Sequence, residues 1–375
     1  MRRMLSVIGS IVLLAGMGTP LAVAQDELKG LMERLLAKPT IQTESGFTAS
    51  VLVPPGQLYD PVWLMSHNGT VWTNDDGGVE GDKGSQIVAI GKDGALSVVV
   101  GLGRLLPTTG FGIAPERFGA FRGHLFTMAQ AEVAAPGAIK NHVIQRVDTN
   151  TKDVSTVVCT LPKAGDVNNG ISGFGADARF GPQGSPFADR FFAATLYNNT
   201  IYQLKADGSC TPFVTFDGKP WGEPAGLAFS ADGQRMLVTV AKGNTLTSTS
   251  AKAEGAVLSI AADGAVDKKP VVEGLSRPMG IVHAPASFGV YAGQLFITDG
   301  GKMEIPVPMT QALTTDGKLY RATAEGKLHL VASGFINPVG LAFVDNALWV
   351  TDINGDFIAG KRELPDGFIA KIQAQ

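Results

Sequence analysis

The chain has 375 residues, a formal net charge of −3, 45% hydrophobic residues and 17% charged ones. With 47 glycines and 21 prolines, that balance describes a folded, turn-rich polypeptide rather than a disordered one. Acidic residues are in slight excess and no basic run occurs, which excludes a nucleic-acid footprint.

Residues 1–24 have the parts of a secretory signal: Arg2 and Arg3, an apolar run over 5–17, and Ala22-Val23-Ala24 before Gln25. The expected location is periplasmic or secreted. Cleavage there would take the formal charge from −3 to −5, because both arginines leave with the signal. The apolar run is short for a bilayer, and no later stretch is longer, so no membrane span is expected. Residues 25–46 read as a helix and linker. Leu28, Leu31, Met32, Leu35 and Leu36 fall on one helical stripe, and Pro39 limits its extension. A lone strand over residues 47–53 follows, ending at Pro54-Pro55-Gly56.

From Pro61 onward the chain repeats. PVGLAFVDNALWVTD, starting at Pro338, joins two short β-rich runs by a polar turn. PAGLAFSADGQRMLVTV at Pro224 is a second copy, with fainter ones at Gly110, Gly173 and Pro278 and a divergent one, PVWLMSHNGTVWTND, at Pro61. Six copies at a spacing of roughly 50–60 residues suit four-stranded propeller blades. The predicted fold is therefore all-β: a single six-bladed β-propeller over residues 47–375. Strands a to d run outward from the axis. Strand a of blade three is expected at 173–175, and strand d of blade four at 269–272. Blade six lacks room for an outer strand before Gln375, and the orphan strand 47–53 is expected to fill that place and close the ring.

Tight glycine turns such as Lys92-Asp93-Gly94 and Ala206-Asp207-Gly208 join strands c and d. The b-to-c loops are long in five blades and share a face, here called the top, with the proline-rich entries to strand a; binding residues concentrate on such loops. On the opposite face, GFGIAPERFGAFRGHLF from Gly110 parallels GIVHAPASFGVYAGQLF from Gly280, with GFGADARFGP from Gly173 as a shorter relative. Each reads as a loop folded under its blade. Cys159 and Cys210 fall at the outer strands of consecutive blades; an exported protein would pair them, and two separate thiols are the alternative.

The PxGLAF…DG…LxVTD pattern resembles the NHL-repeat propellers and the gluconolactonase/senescence-marker-protein-like propellers. The second resemblance implies a six-bladed ring holding a divalent cation in its central channel and hydrolysing lactones or phosphoesters. Its metal-binding Glu would fall at Tyr59, and its Asn and Asp ligands at Thr109, Ser172, Ala225, Met279 and Val339, so the family's ligands are not matched. A likeness to soluble quinoprotein sugar dehydrogenases is architectural only, since no Arg-Asn-Pro segment is present.

Independent of that resemblance, three b strands end in an aspartate at the same register: Asp75, Asp299 and Asp352, on blades one, five and six. With Asn354 and Asp356, which alternate with Asp352, they form the candidate set for a divalent cation such as calcium. The structural alternative for each aspartate is capping of backbone N–H groups at its strand end. His142, opening a c strand after a long top-face loop, is the candidate general base. The leading functional expectation is cation-assisted hydrolysis of a small lactone or ester. The alternative is a non-catalytic propeller binding a protein or glycan at its top face, and a quinone-dependent sugar dehydrogenase is third. Convergent polar groups at the channel mouth would favour an enzyme, and an apolar or plugged mouth would favour a binding module.

Overall fold

The computed structural model describes residues 36–76, 85–130, 142–161, 176–196, 198–217, 220–242, 254–301, 316–353 and 365–375. It is a six-bladed propeller. Blade one comprises Pro61–His67, Thr70–Asp76, Ser85–Ile90 and Leu96–Val100. Blade two follows with Thr108–Ile113, Leu125–Gln130, His142–Val147 and Thr156–Thr160, and blade three with Ala178–Phe180, Arg190–Thr195, Thr200–Lys205 and Cys210–Thr215. In blade four the inner edge is split: Trp221–Gly222 and Leu227–Phe229 both pair with Met236–Lys242, ahead of Gly255–Ile260 and Val272–Leu275. Blade five comprises Pro278–His283, Leu295–Asp299, Gly317–Ala322 and Leu328–Phe335, and blade six Pro338–Val344, Ala347–Asp352 and Gly367–Ala374.

The outer strand of blade six is Phe47–Leu58, pairing antiparallel with Gly367–Ala374 from Phe47↔Ala374 to Leu58↔Gly367. The expected closure is present, and the strand runs five residues further than residues 47–53. Just before it, Gln42–Thr43 pairs with Leu328–Phe335 and gives blade five a fifth strand. The short strand covers an edge that would otherwise expose backbone donors and acceptors. The amphipathic stripe lies in residues 1–35 and at Leu36, largely outside the described residues, and the signal segment lies wholly outside them. Among the described residues, no helix is long and apolar enough to cross a membrane.

A girdle of hydrogen bonds between inner strands ties each blade to the next. Thr351 Oγ1 donates to Val62 O (2.6 Å), Asn74 Nδ2 to Thr108 O (3.0 Å), and Gly110 N to Ala176 O (3.1 Å). Asp177 N donates to Ala225 O (2.8 Å), Thr239 Oγ1 to Met279 O (2.7 Å), and Thr298 Oγ1 to Val339 O (2.8 Å). This close approach explains the glycine of the repeat. A Cβ on Gly226 would lie 2.0 Å from Met279 O, and one on Gly280 would lie 2.0 Å from Val339 O. Only a residue without a side chain lets the threonine reach across.

Two strand expectations are corrected. Strand a of blade three is Ala178–Phe180, and 173–175 falls outside the described residues. Asp177 occupies the girdle position that glycine holds in blades two, four, five and six, so the sequence signal for this strand is missing. Strand d of blade four is Val272–Leu275, because Val266 first bridges back to Ile260.

The underside insertions are plugs. Phe118, Phe187 and Phe288 are fully buried, each packed edge-on or tilted against rings of its own blade and the following one. Phe288, for example, meets Phe296 of blade five and Phe343 of blade six. In blade three the equivalent plug is Phe187, not the Phe180-Gly181 pair that the sequence comparison aligned, since Phe180 belongs to the inner strand. A disulfide between Cys159 and Cys210 joins the outer strands of blades two and three.

Candidate functional site

The three register aspartates are engaged by backbone at the entries to strand a of their own blades. Asp75 Oδ1 accepts from Tyr59 N and Asp60 N, while Oδ2 accepts from Gln86 Nε2. Asp299 accepts from Ser276 N, Arg277 N and Gly301 N at 2.8–2.9 Å. Asp352 accepts from Ile336 N and Asn337 N at 2.7 and 2.9 Å. All three are buried. Such carboxylates hold a sharp entry turn by satisfying donors that would otherwise be stranded away from water.

The other blades achieve the same end from the neighbouring blade. Strand b of blades two, three and four carries Ala129, Thr195 and Val240 at the aspartate register. Ser85, opening strand c of blade one, accepts from Thr108 N at the entry to blade two. Asn199, at the matching place in blade three, accepts from Glu223 N at the entry to blade four. Where a blade has its own aspartate, the preceding blade has glycine there, against the incoming proline. A Cβ on Gly255, Gly317 or Gly367 would meet Pro278, Pro338 or Pro61 at 2.2–2.7 Å. The remaining member of this ring is His142, which is buried and opens strand c of blade two. Its register is the one that Ser85 and Asn199 occupy in blades one and three.

The described residues therefore do not bring the expected cation ligands together. No group of three His, Cys, Asp or Glu side chains poised to hold a metal occurs among them. The oxygens of Asp75, Asp299 and Asp352 face N–H donors, which compete with a cation for the same lone pairs. Asn354 and Asp356 lie outside the described residues. The family-equivalent positions do not supply ligands either. With the register corrected, Ala176 replaces Ser172 in that set, and Ala176, Ala225, Met279 and Val339 belong with Val62 to one continuous buried apolar cluster. Thr109, the sixth position of the set, is buried with its hydroxyl donating to Met128 O.

The strand entries themselves carry a set of buried polar residues, a collar that the sequence reading missed. The residues preceding the entry prolines, Asp60, Glu223, Arg277 and Asn337, are all buried. Arg277 is 6% exposed and Glu223 2%. Burial lowers the Arg277 pKa to about 10, with the negative charges of Asp299 and Glu223 opposing that shift, so the guanidinium stays cationic at neutral pH. Arg277 Nη1 and Asn337 Oδ1 converge on Gly300, lying 3.7 and 3.4 Å from where its Cβ would be. Glu223, Arg277 and Asn337 thus stand on three consecutive blade entries, offering an acidic acceptor, a fork of donors and an amide. The only trace in the sequence is a polar residue before the entry proline of four repeats, at Pro61, Pro224, Pro278 and Pro338, which reads as turn chemistry.

No family model matches the chain, and no curated protein matches it. Solved structures resemble it in fold. One is a glucose dehydrogenase with TM-score 0.57 and 16% identity, covering 88% of this chain and 100% of that one. Another is the soluble aldose sugar dehydrogenase of Escherichia coli, with TM-score 0.54, 12% identity, and 88% and 100% covered. A gluconolactonase of Xanthomonas campestris gives TM-score 0.52 and 14% identity over 90% and 95%. At such identities these likenesses establish the fold, a propeller of the kind the repeats implied.

Proposed function

We propose that this protein is an exported propeller that recognises a small polyhydroxylated molecule at the top mouth of its ring. The observation that carries the reading is the collar: Glu223, Arg277 and Asn337 on consecutive blade entries. Hydroxyl groups both donate and accept, so a carboxylate beside a guanidinium and an amide complements vicinal hydroxyls. The names of the fold neighbours, a gluconolactonase and sugar dehydrogenases, point to the same class of small molecule. A disulfide fits an oxidising compartment and supports export. Relative to the cation-assisted hydrolase, this reading asks nothing of carboxylates that already cap strand entries.

The test is thermal melting of the purified protein with D-glucose, D-gluconate, glucono-δ-lactone and myo-inositol, each with chelator and with added calcium. A ligand that binds only the folded state raises the melting temperature with concentration. At least one of these should do so in chelator, and Arg277→Met should abolish the rise. Lactone turnover that requires calcium and is lost in Asp299→Asn would instead support the hydrolase and overturn the proposal.

A further inference from the structure

Asn337 differs from the rest of the collar in how its side chain is employed. Its backbone is fully engaged: the N–H donates to Asp352 Oδ1 at 2.9 Å, and the carbonyl accepts from Ile353 N at 3.2 Å. Its side-chain amide, by contrast, makes no hydrogen bond with any of the described residues. Asn337 is 5% exposed, and its amide is not among the sealed polar atoms of the described residues, so the group is nearly enclosed yet within reach. An amide carries an acceptor and two donors, and enclosing it without a partner is unfavourable. Asp60, Glu223 and Arg277 each have partners within the protein. The charge of Arg277 in particular is opposed by those of Asp299 and Glu223.

The usual reasons for asparagine at a strand entry do not apply. Asparagine tolerates left-handed turn positions, as Asn68 does at φ +48° and Asn199 at φ +50°, but Asn337 has no positive φ. Its side chain also serves backbone N–H groups, as Asn199 Oδ1 serves Glu223 N, and Asn337 makes no such bond among the described residues. Beside the amide stands Gly300, whose N–H donates to Arg277 O at 2.9 Å. Its φ is not positive either, so the backbone does not ask for glycine. A Cβ there would lie 3.4 Å from Asn337 Oδ1 and 3.7 Å from Arg277 Nη1, in ordinary contact with both. Glycine therefore keeps the flank of the amide uncovered.

We propose that the Asn337 amide pairs with adjacent hydroxyls of a neutral polyol at the top mouth, Oδ1 accepting from one and Nδ2 donating to the other. This inference rests on the proposed recognition of a polyhydroxylated molecule at that mouth, and adds the group that reads it and the charge of the ligand. An uncharged amide has no preference for an anion. Arg277 already faces two carboxylates, so a sugar acid gains nothing there over a neutral polyol. Removing the amide should weaken binding roughly tenfold, the scale of two uncharged hydrogen bonds.

The test uses the full chain in chelator, with D-glucose and myo-inositol as neutral probes and D-gluconate as the anion, read by thermal melting and titration calorimetry. Asn337→Leu, apolar and of similar size, should melt at or above the wild-type temperature and bind the neutral probes roughly tenfold more weakly. Gly300→Ala should melt as wild type does, and its methyl group beside the amide should weaken the same probes. An Asn337→Leu protein that melts several degrees lower would show that the amide serves the fold, and would overturn the inference. So would unchanged affinity for the neutral probes in either variant, or a wild type that prefers D-gluconate to both. A wild type that answers the probes while the variants match it sinks this inference alone. If the wild type answers none of the three, the proposed function of the mouth falls first, and this inference falls with it.

Discussion

Replacing Asp299 by alanine separates a capping carboxylate from a cation ligand. The substitution strands three backbone donors: Arg277 N and Gly301 N, which are buried, and Ser276 N, which is half-buried. An unpaired buried donor costs about 1–2 kcal/mol, and the half-buried one, partly reachable by water, about 0.5–1 kcal/mol. The expected loss is therefore about 3–5 kcal/mol, and Asp299→Asn, which keeps one acceptor oxygen, should lose about half. The assay is urea denaturation of wild type and both variants, in chelator and again with saturating calcium. Because the carboxylate serves backbone N–H groups, the loss should be the same in both conditions. A loss under about 1 kcal/mol in chelator that grows when calcium is added would refute the capping argument and restore the cation site.

Four further outcomes follow from particular contacts. Cys159→Ser with Cys210→Ser removes a cross-link spanning 51 residues and should cost about 4 kcal/mol in urea denaturation on the loop-entropy scale. Gly226→Ala forces a Cβ to within 2.0 Å of Met279 O and should cost more than about 3 kcal/mol, whereas Gly208→Ala, in an open turn, should cost about 1 kcal/mol. Truncation through Val53 removes the residues paired with 369–374 and should leave no cooperative unfolding transition, because it reopens the ring. Burial raises the Asp177 carboxyl, with the bonded Arg179 pulling it back down. A raised folded-state pKa means the folded protein holds that proton more tightly, so stability falls as pH rises from the unfolded to the folded value. The wild type should accordingly gain on Asp177→Asn as pH falls through that window in paired denaturation curves.

The architecture was legible because the girdle leaves a mark in every well-formed repeat. Threonine must cross to the next blade, glycine must let it, and so PxG and the Thr-Asp strand end recur together. Blade three was misplaced for the same reason. Asp177 sits where glycine would announce the strand, and the upstream Gly173-Phe174-Gly175 imitates the Gly110-Phe111-Gly112 of blade two. The two-residue strand Gln42–Thr43 carries too little pattern to be read at all. At the site, the sequence identified the aspartate register and offered capping as one employment of it, but not which donors are capped, since these lie 15 to 23 positions away or more locally at Gly301. Nor could it expose the exchange between blades, in which Ser85 and Asn199 serve entries lacking an aspartate and His142 takes the third such place. Glu223, Arg277 and Asn337 become a group only when ring closure stacks their entries side by side.

The measurement that bears most directly on the functional account is hydrogen–deuterium exchange with and without saturating D-glucose or D-gluconate. If the top mouth is the recognition site, amides around the collar should slow: those of residues 221–227, 276–281 and 336–341, with the underside plugs near Phe118 and Phe288 unchanged. Protection confined to the underside or the outer strands, or no change at any of the three entries, would contradict it.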